Sequence, residues 1–298
     1  MSNILVTGGA GFIGTNLIKE LLIDGHNVAN IVSIDDYSSG SLKNHQEGCE
    51  YIVGDIKEKK LDTKFLYGHK FDIIFHLAAR ARIQPSFKNP HLTLENNFIG
   101  TLNVLEYARH CNAQVIYAGS SSKHHGLYGS PYAWSKYGGE QLCYLYSSVY
   151  GMNTVICRFY NVYGKAHIRI GEYATVIGIF EQQYMEGEPL TIVGDGEQRR
   201  DFTHIDDITD GLIRCMGLKF NADEFELGSG SNYSINEVAN MFGKDYPKKY
   251  IPERKGEYPF TLCSDKKATE MLGWQPEGDL KSYIKHWLNE RKKIKAIL

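Results

Sequence analysis

The chain has 298 residues, enough to bury a substantial core as one large α/β unit or two closely joined domains. Charged residues make up 23% and the formal net charge is -2, so no overall bias favours nucleic acid or an anionic membrane as partner. No apolar run approaches the roughly 20 residues of a membrane span, and the six cysteines show no C-x-x-C pair or zinc spacing, so a cytoplasmic protein with reduced thiols and no structural metal is expected.

The first apolar strand, Asn3 to Val6, starts within three residues of the beginning, so no secretory leader is expected. Val6-Thr-Gly-Gly-Ala-Gly-Phe-Ile-Gly14 joins it to a helix predicted over Phe12 to Ile23 and ending near Gly25. Gly8 permits the turn, Gly11 lets backbone N–H groups approach a pyrophosphate, and Gly14 allows close helix–strand packing. Such a string is weak evidence in a chain with 30 glycines; its position between strand and helix carries it. The next strand, Asn30 to Ile34, ends on Asp35-Asp36, about 20 residues past the last glycine. A carboxylate there can accept both ribose hydroxyls of an adenosine and would repel a 2′-phosphate, which favours NAD over NADP; capping a loop is the alternative. After the strand Tyr51 to Val53, Asp55-Ile56 can flank an adenine or serve as ordinary turn chemistry.

Phe71 to Leu77 reads as a strand, and Pro90 to Cys111 as one long helix with Leu94, Phe98, Leu102 and Leu105 at helical spacing. Strands at 114–118 and 154–158 flank a helix over Ala133 to Tyr150. This alternation predicts an α/β fold, a doubly wound parallel sheet covered on both faces over 1–160 and completed by parts of 200–230. Beyond Asn161 the pattern is irregular, with helices over Ile205 to Met216, Ile235 to Phe242, about 265–272 and 279–290, and a strand near Glu224 to Leu227. Residues 161–298 therefore read as a smaller mixed α/β lobe over the strand ends, where doubly wound sheets place ligands.

The segment Gly119-Ser-Ser-Ser-Lys-His-His-Gly-Leu-Tyr-Gly-Ser-Pro-Tyr-Ala-Trp-Ser-Lys136 puts a hydroxyl cluster at a strand end, close to Tyr132 and Lys136 at a helix start. Four residues are about one helical turn, so phenol and ammonium share a face. With 20 tyrosines in the chain, Y-x-x-x-K can arise by chance; the order of dinucleotide turn, strand, serines, tyrosine and helix is what points to proton transfer.

These motifs resemble the extended short-chain dehydrogenase/reductases of the nucleotide-sugar epimerase and dehydratase group, whose fold is Rossmann-type. Matching strings include Thr7 to Gly14, His76-Leu-Ala-Ala79, Asn97-Phe-Ile-Gly-Thr101, Ser120-Ser-Ser122, Tyr132-x-x-x-Lys136, Arg158-Phe-Tyr-Asn-Val-Tyr-Gly164, Gly194 to Phe202, His204-Ile-Asp-Asp207 and Pro252 to Glu257. The resemblance implies Ser122, Tyr132 and Lys136 as catalytic residues, with Ser122 bridging the phenol and a substrate oxygen. It sets Gly8, Gly11, Phe12, Ile13, Gly14, Asp35, Asp55, Ile56, Leu77, Ala78, Ala79, Asn97, Tyr132 and Lys136 against NAD. It gives Asn161, Arg200 and Arg254 to the diphosphate of a nucleoside diphosphate sugar and Glu257 to its ribose. Positive charge from Lys136 and an oxidised nicotinamide is expected to lower the Tyr132 pKa.

Dehydratases of the family carry acidic residues after this strand, for removing the C5 proton and expelling the C6 hydroxyl, and its decarboxylases tend to carry a Glu there. No Asp or Glu lies between Gly119 and Pro131 here, and the serine run is similar to that of 4-epimerases acting on UDP-hexose or UDP-N-acetylhexosamine. Other family reactions (4-keto reduction, dehydration, epimerisation at another carbon) and a silent NAD-binding regulator are the alternatives. Only nine residues, Lys123 to Pro131, separate serine and tyrosine, far fewer than is usual in the family. His124 and His125 in this short loop are expected to meet substrate or NAD rather than a metal, because consecutive side chains rarely converge and no carboxylate is close in sequence. Arg80 and Arg82 can also face the pocket and meet an acidic or otherwise unusual sugar. Family members commonly dimerise through two helices, here about 90–111 and 133–150; Leu102, Leu105, Leu142, Tyr146 and Val149 suit such a homodimer or a core-facing stripe equally.

Overall fold

The computed structural model describes residues 1–23 and 26–297. Strands β1 (Ser2–Thr7), β2 (Val28–Asp35), β3 (Cys49–Val53), β4 (Ile73–His76), β5 (Gln114–Ser120), β6 (Thr154–Phe159) and a later strand, Asp223–Leu227, form one seven-stranded parallel sheet. Its order is β3-β2-β1-β4-β5-β6 followed by Asp223–Leu227, so the chain reverses direction across the sheet between β1 and β4. Doubly wound sheets bind ligands outside the strand carboxyl ends at such a switch point.

Side chains alternate across these strands with period two. On one face Leu5, Val115, Tyr117 and Ile156 pack under the helices Gly100–Cys111 and Pro131–Tyr150; on the other Ile4, Val6, Ile116, Val155 and Cys157 meet residues of the helices Phe12–Leu21 and Ile205–Arg214. Helices on both faces explain why the strands read as near-continuous apolar runs. In chain order the helices are α1 (Phe12–Leu21), α2 (Leu61–Lys64), α3 (Ile83–Lys88), α4 (Pro90–Leu94), α5 (Gly100–Cys111), α6 (Pro131–Tyr150), α7 (Val176–Glu186), α8 (Ile205–Arg214), α9 (Ile235–Met241), α10 (Lys267–Leu272) and α11 (Leu280–Ile297). The end predicted for the first helix near Gly25 lies outside the described residues.

The single helix expected over Pro90 to Cys111 is interrupted by one π turn, Glu95–Ile99. Inserting an extra residue into a helical turn is costly, and such bulges mark functional positions; Asn97 sits in this one. The second half holds two small sheets, β7 (Leu190–Val193) parallel to β11 (Lys248–Ile251), and β8 (Arg199–Asp201) antiparallel to β10 (Asn232–Ser234); in this chain-order numbering Asp223–Leu227 is β9. A third apolar cluster, including Tyr163, Phe180, Ile192, Phe242 and Trp287, holds these pieces together. The five apolar residues read as a dimer face or core stripe divide: Leu105, Leu142 and Tyr146 are buried and Leu102 packs against the same cluster, while Val149 is 60% exposed. Among the described residues no helix is long and apolar enough to cross a membrane.

Candidate active site

At the sheet's carboxyl edge the β1–α1 turn is closed around its glycines. Gly8 has φ +76, in the left-handed region, and a Cβ there would lie 2.9 Å from Ala78 Cα. At Gly14 a Cβ would lie 2.3 Å from Gly8 O, so turn and helix touch backbone to backbone. Gly11 caps α1 without a side-chain hydrogen bond, leaving the first-turn N–H groups beside Phe12 and Ile13 directed at the cleft, the arrangement that receives a pyrophosphate.

Asp35, at the end of β2, accepts the Ala10 N–H on Oδ2 (2.9 Å) and the Tyr37 N–H on Oδ1 (2.8 Å). Burial pushes its carboxyl above the ordinary value while those two N–H groups pull it back. One lone pair on each oxygen remains for ribose hydroxyls. Asp55 is turned onto its own loop, accepting the Lys57 N–H at 2.9 Å, and Ile56 is buried below Gly100.

Leu77, Ala78 and Ala79 follow β4, where the chain is held by a buried relay. Thr7 Oγ1 lies 2.8 Å from His76 Nδ1, and His76 Nε2 lies 2.9 Å from Thr101 Oγ1. Thr101 spends its proton on Asn97 O at 2.6 Å, so it accepts from Nε2–H and His76 Nδ1 accepts from Thr7. The neutral ring this requires agrees with burial, which drives the His76 pKa down to about 3, and with the Lys136 charge. Asn97 does not reach into the cleft: its amide clamps Arg80 N (2.7 Å), Arg80 O (3.2 Å) and Ser135 Oγ (2.9 Å), so it shapes the cradle wall.

Tyr132 opens α6, whose N-cap Ser130 accepts the Ala133 N–H. The phenol donates a hydrogen bond to Ser120 Oγ, at 3.4 Å, and none to Ser122. Ser122 Oγ instead donates to Ser120 Oγ at 2.9 Å, one hydroxyl further back than the motif implies. The backbone accounts for this: Ser120 is the last residue of β5, while Ser122 lies in a tight 3-10 turn, Ser121–His125. Burial pushes the Tyr132 phenol above its ordinary value; the Ser120 hydrogen bond and then the Arg82 charge pull it down. The Lys136 ammonium rests 4.4 Å from the Tyr117 ring centroid, and burial lowers its pKa to about 8 against the pull of Glu140.

The short loop is tethered away from the pocket. Lys123 Nζ donates to Glu224 at 3.1 Å and His124 Nε2 lies 2.8 Å from Glu226 Oε1, both on β9. Behind them Arg158, 1% exposed, binds Glu140, Glu224 and Glu226 with contacts of 2.6 to 2.9 Å. The expectation that His124 meets substrate or NAD is therefore wrong: a carboxylate remote in sequence, 102 residues on, takes it. Among the described residues no group of three His, Cys, Asp or Glu is placed to hold a metal ion. His125 faces inward, its ring 5.0 Å from that of Tyr258.

Arg200 and Glu257 meet in an ion pair of 2.9 Å, and Arg254, three residues before Glu257, is exposed. Asn161 adopts a positive φ of 24° and gives its amide to Asp201 O (2.8 Å) and Thr261 (3.3 Å). Arg199, with no role suggested by its sequence, is bound by Asn232 and by Glu237 at 2.9 Å. Two groups escaped sequence reasoning. Ser120 carried no signal separating it from Ser122, and Glu226 lay in a strand with no motif.

The family model described as NAD dependent epimerase/dehydratase matches residues 4–228. This chain belongs to that family. A UDP-glucose 4-epimerase of Mycolicibacterium smegmatis is 32% identical over 92% of this chain and 93% of its own length. A UDP-glucuronate 4-epimerase of Thermodesulfobacterium geofontis is 32% identical over 98% of this chain and 97% of its own. The crystal structure of Thermotoga maritima UDP-glucose 4-epimerase with UDP-glucose superposes with a TM-score of 0.89 at 28% identity, covering 98% of this chain and 99% of that one. The cofactor of the family is NAD, and the glycine cradle, the α1 N-terminus and the Asp35 carboxylate fit it.

Proposed function

We propose that the protein is an NAD-dependent nucleotide-sugar 4-epimerase, acting on a UDP-sugar through a transient 4-keto sugar. NAD, when bound, supplies the site that takes up the C4 hydride and gives it back. Tyr132 takes the proton of the C4 hydroxyl as the carbonyl forms and returns it as the alcohol is restored, so the sugar leaves with its redox state unchanged. Ser120, with Ser122 behind it, holds the C4 oxygen by the phenol; Lys136 contributes charge from below. Glycine backbone, Asp35 and the Leu77–Ala79 wall hold the cofactor. Arg200 and Arg254 serve the diphosphate and Glu257 the ribose; Asn161, whose amide hydrogens go to Asp201 O and Thr261, reaches the diphosphate only by giving one of them up.

The observation that carries this reading is what surrounds the serine turn. The carboxylates that meet this turn or the arginine behind it, Glu140, Glu224 and Glu226, are all paired with Arg158, Lys123 and His124. None remains as the base or acid a dehydration needs, whereas epimerisation needs none. The relatives named above, both 4-epimerases, support the same choice. A division near residue 160, a cytoplasmic location and a homodimer belong to the same proposal. Leu145, Val149 and Tyr150, 50%, 60% and 53% exposed on α6, offer an apolar face for the partner subunit.

Incubation with a panel of UDP-, GDP-, CDP- and dTDP-sugars without reductant, followed by NMR, is expected to give a 4-epimer pair. A 4-keto-6-deoxy product would overturn the reading. Tyr132→Phe is expected to lower kcat by about 10²–10⁴-fold while NAD binding persists.

A further inference from the structure

The two arginines after the His76-Leu-Ala-Ala79 string separate sharply in the structure. Arg80 is neutralised: its Nη2 lies 3.0 Å from Asp36. With Glu257 acting on it only from beyond contact, Arg82 has no carboxylate within ion-pair distance among the described residues. Its Nε donates to Tyr173 O at 3.0 Å, and among the described residues neither Nη atom has a hydrogen bond or ion pair. Arg158, Arg169, Arg199 and Arg200 each have a glutamate within 2.9 Å. Arg82 is partly buried, and burial pulls its pKa below the ordinary value, with Tyr132 and then Glu257 opposing. Withdrawing a cation from water without a counter-ion is costly, and an anion arriving with a ligand would remove that cost.

The position of Arg82 says which anion. It precedes α3, and α3 is wedged between the catalytic helix and the 254–257 loop: Ile83 packs on Gly256, and Gln84 Nε2 bonds Lys255 O at 2.8 Å. Arg82 acts electrostatically on Tyr132 first and on Glu257 second. Tyr132 marks C4 of the sugar. The diphosphate hangs from C1, across the ring, and has Arg200 and Arg254. An anionic group next to C4 on a pyranose is a carboxylate on C5, that of a hexuronate.

We propose that Arg82 is a specificity-determining residue that pairs with the C6 carboxylate of a nucleoside diphosphate hexuronate, making a sugar acid the preferred substrate. This rests on the 4-epimerase reading and narrows it. A guanidinium–carboxylate fork is charge-assisted and bidentate, and hydrogen bonds to charged groups contribute about 1.5–3 kcal/mol, a factor of roughly 10–100 in affinity.

The test compares UDP-glucuronate with UDP-glucose on the NAD-loaded wild type, Arg82→Met and Arg82→Lys, by calorimetric binding and by NMR-followed turnover. The expected result is tighter binding of the uronate by about 10–100-fold in the wild type, a preference lost in Arg82→Met and partly kept in Arg82→Lys, with the change in KM rather than kcat. Equal losses for both sugars in Arg82→Met would assign the guanidinium to the diphosphate and overturn the proposal. So would a wild type that binds the neutral sugar as well as the uronate, or a shifted pH profile of kcat with both sugars, which would mean Arg82 acts through Tyr132. Binding selectivity without any 4-epimer would sink the epimerase reading alone, so the two failures are distinguishable. Melting curves of both variants report whether a loss is one of folding.

Discussion

The cofactor half and the substrate half of the cleft are finished to different degrees. Around the NAD cradle three polar groups are satisfied within the protein, Asp35 by two backbone N–H groups, His76 by two threonines and Asn97 by Arg80 and Ser135, although Ser33 Oγ under Gly9 and Arg80 Nε are buried without a hydrogen-bond partner. Across the cleft, Arg82 keeps two nitrogens unused, Arg254 is exposed, and buried His125 Nε2 has no hydrogen-bond partner. Where the protein has such groups it pairs some with each other, as in Arg200 with Glu257. A fully hydrogen-bonded wall is rigid and specifies one ligand shape. Charges left open or provisionally paired are those a ligand can rearrange, so selectivity among sugars is expected from this side and not from the cradle.

Substitutions on the two sides should break this contrast in different ways. The largest effect is expected from Gly14→Ala, whose Cβ would sit 2.3 Å from Gly8 O and 2.6 Å from Gly9 Cα, both backbone that cannot swing aside. Overpacking of this kind costs about 1–3 kcal/mol, and here it also opens the anion cradle. Loss of NAD binding in a titration, with a lowered denaturation midpoint, checks it.

Next comes the pH dependence of stability. His76 titrates at about 3 in the folded protein against about 6.5 unfolded, so between those values the unfolded chain binds the extra proton. Its contribution is complete above about pH 6.5 and declines as pH falls toward 3, by up to several kcal/mol. Urea midpoints from pH 7 to 4 should fall, and less steeply in His76→Gln.

The two serines sharpen the comparison further. Ser120→Ala, removing the hydroxyl at 3.4 Å from the phenol, is expected to lower kcat about 10-fold or more, and Ser122→Ala less. Equal kcat values for the two variants would reject the order seen here. The smallest effect is expected from Glu257→Gln: it frees Arg200 from a partly exposed pair, so stability should change by about 1 kcal/mol or less while KM for nucleotide sugars shifts.

The parallel sheet was legible because its strands are buried on both faces, and the glycine turn because its geometry tolerates no other residue. The α6 helix was legible over Ala133 to Tyr150, two residues short of its start at Pro131, where Ser130 caps it. What escaped depended on contacts far along the chain. The π turn at Glu95–Ile99 leaves the apolar spacing of Leu94, Phe98, Leu102 and Leu105 intact, so periodicity saw one helix. Helix α7 was missed within the irregular half, where its apolar residues pack on a third cluster built from remote segments. His124 was misread because its partner, Glu226, approaches only after the final strand joins the sheet. Four of the five helical apolar residues served the core, since a buried stripe and an interface stripe have the same period.

The tether between the serine turn and β9 has a consequence for when the enzyme becomes competent during synthesis. Lys123 waits 101 residues for Glu224, and His124 waits 102 for Glu226. Until β9 has emerged and paired with β6, the serines and Tyr132 exist in the nascent chain but their loop has nothing to hold it. The loop that carries the serines is therefore set late in translation, with the closing of the sheet, and Arg254 and Glu257 emerge only after it.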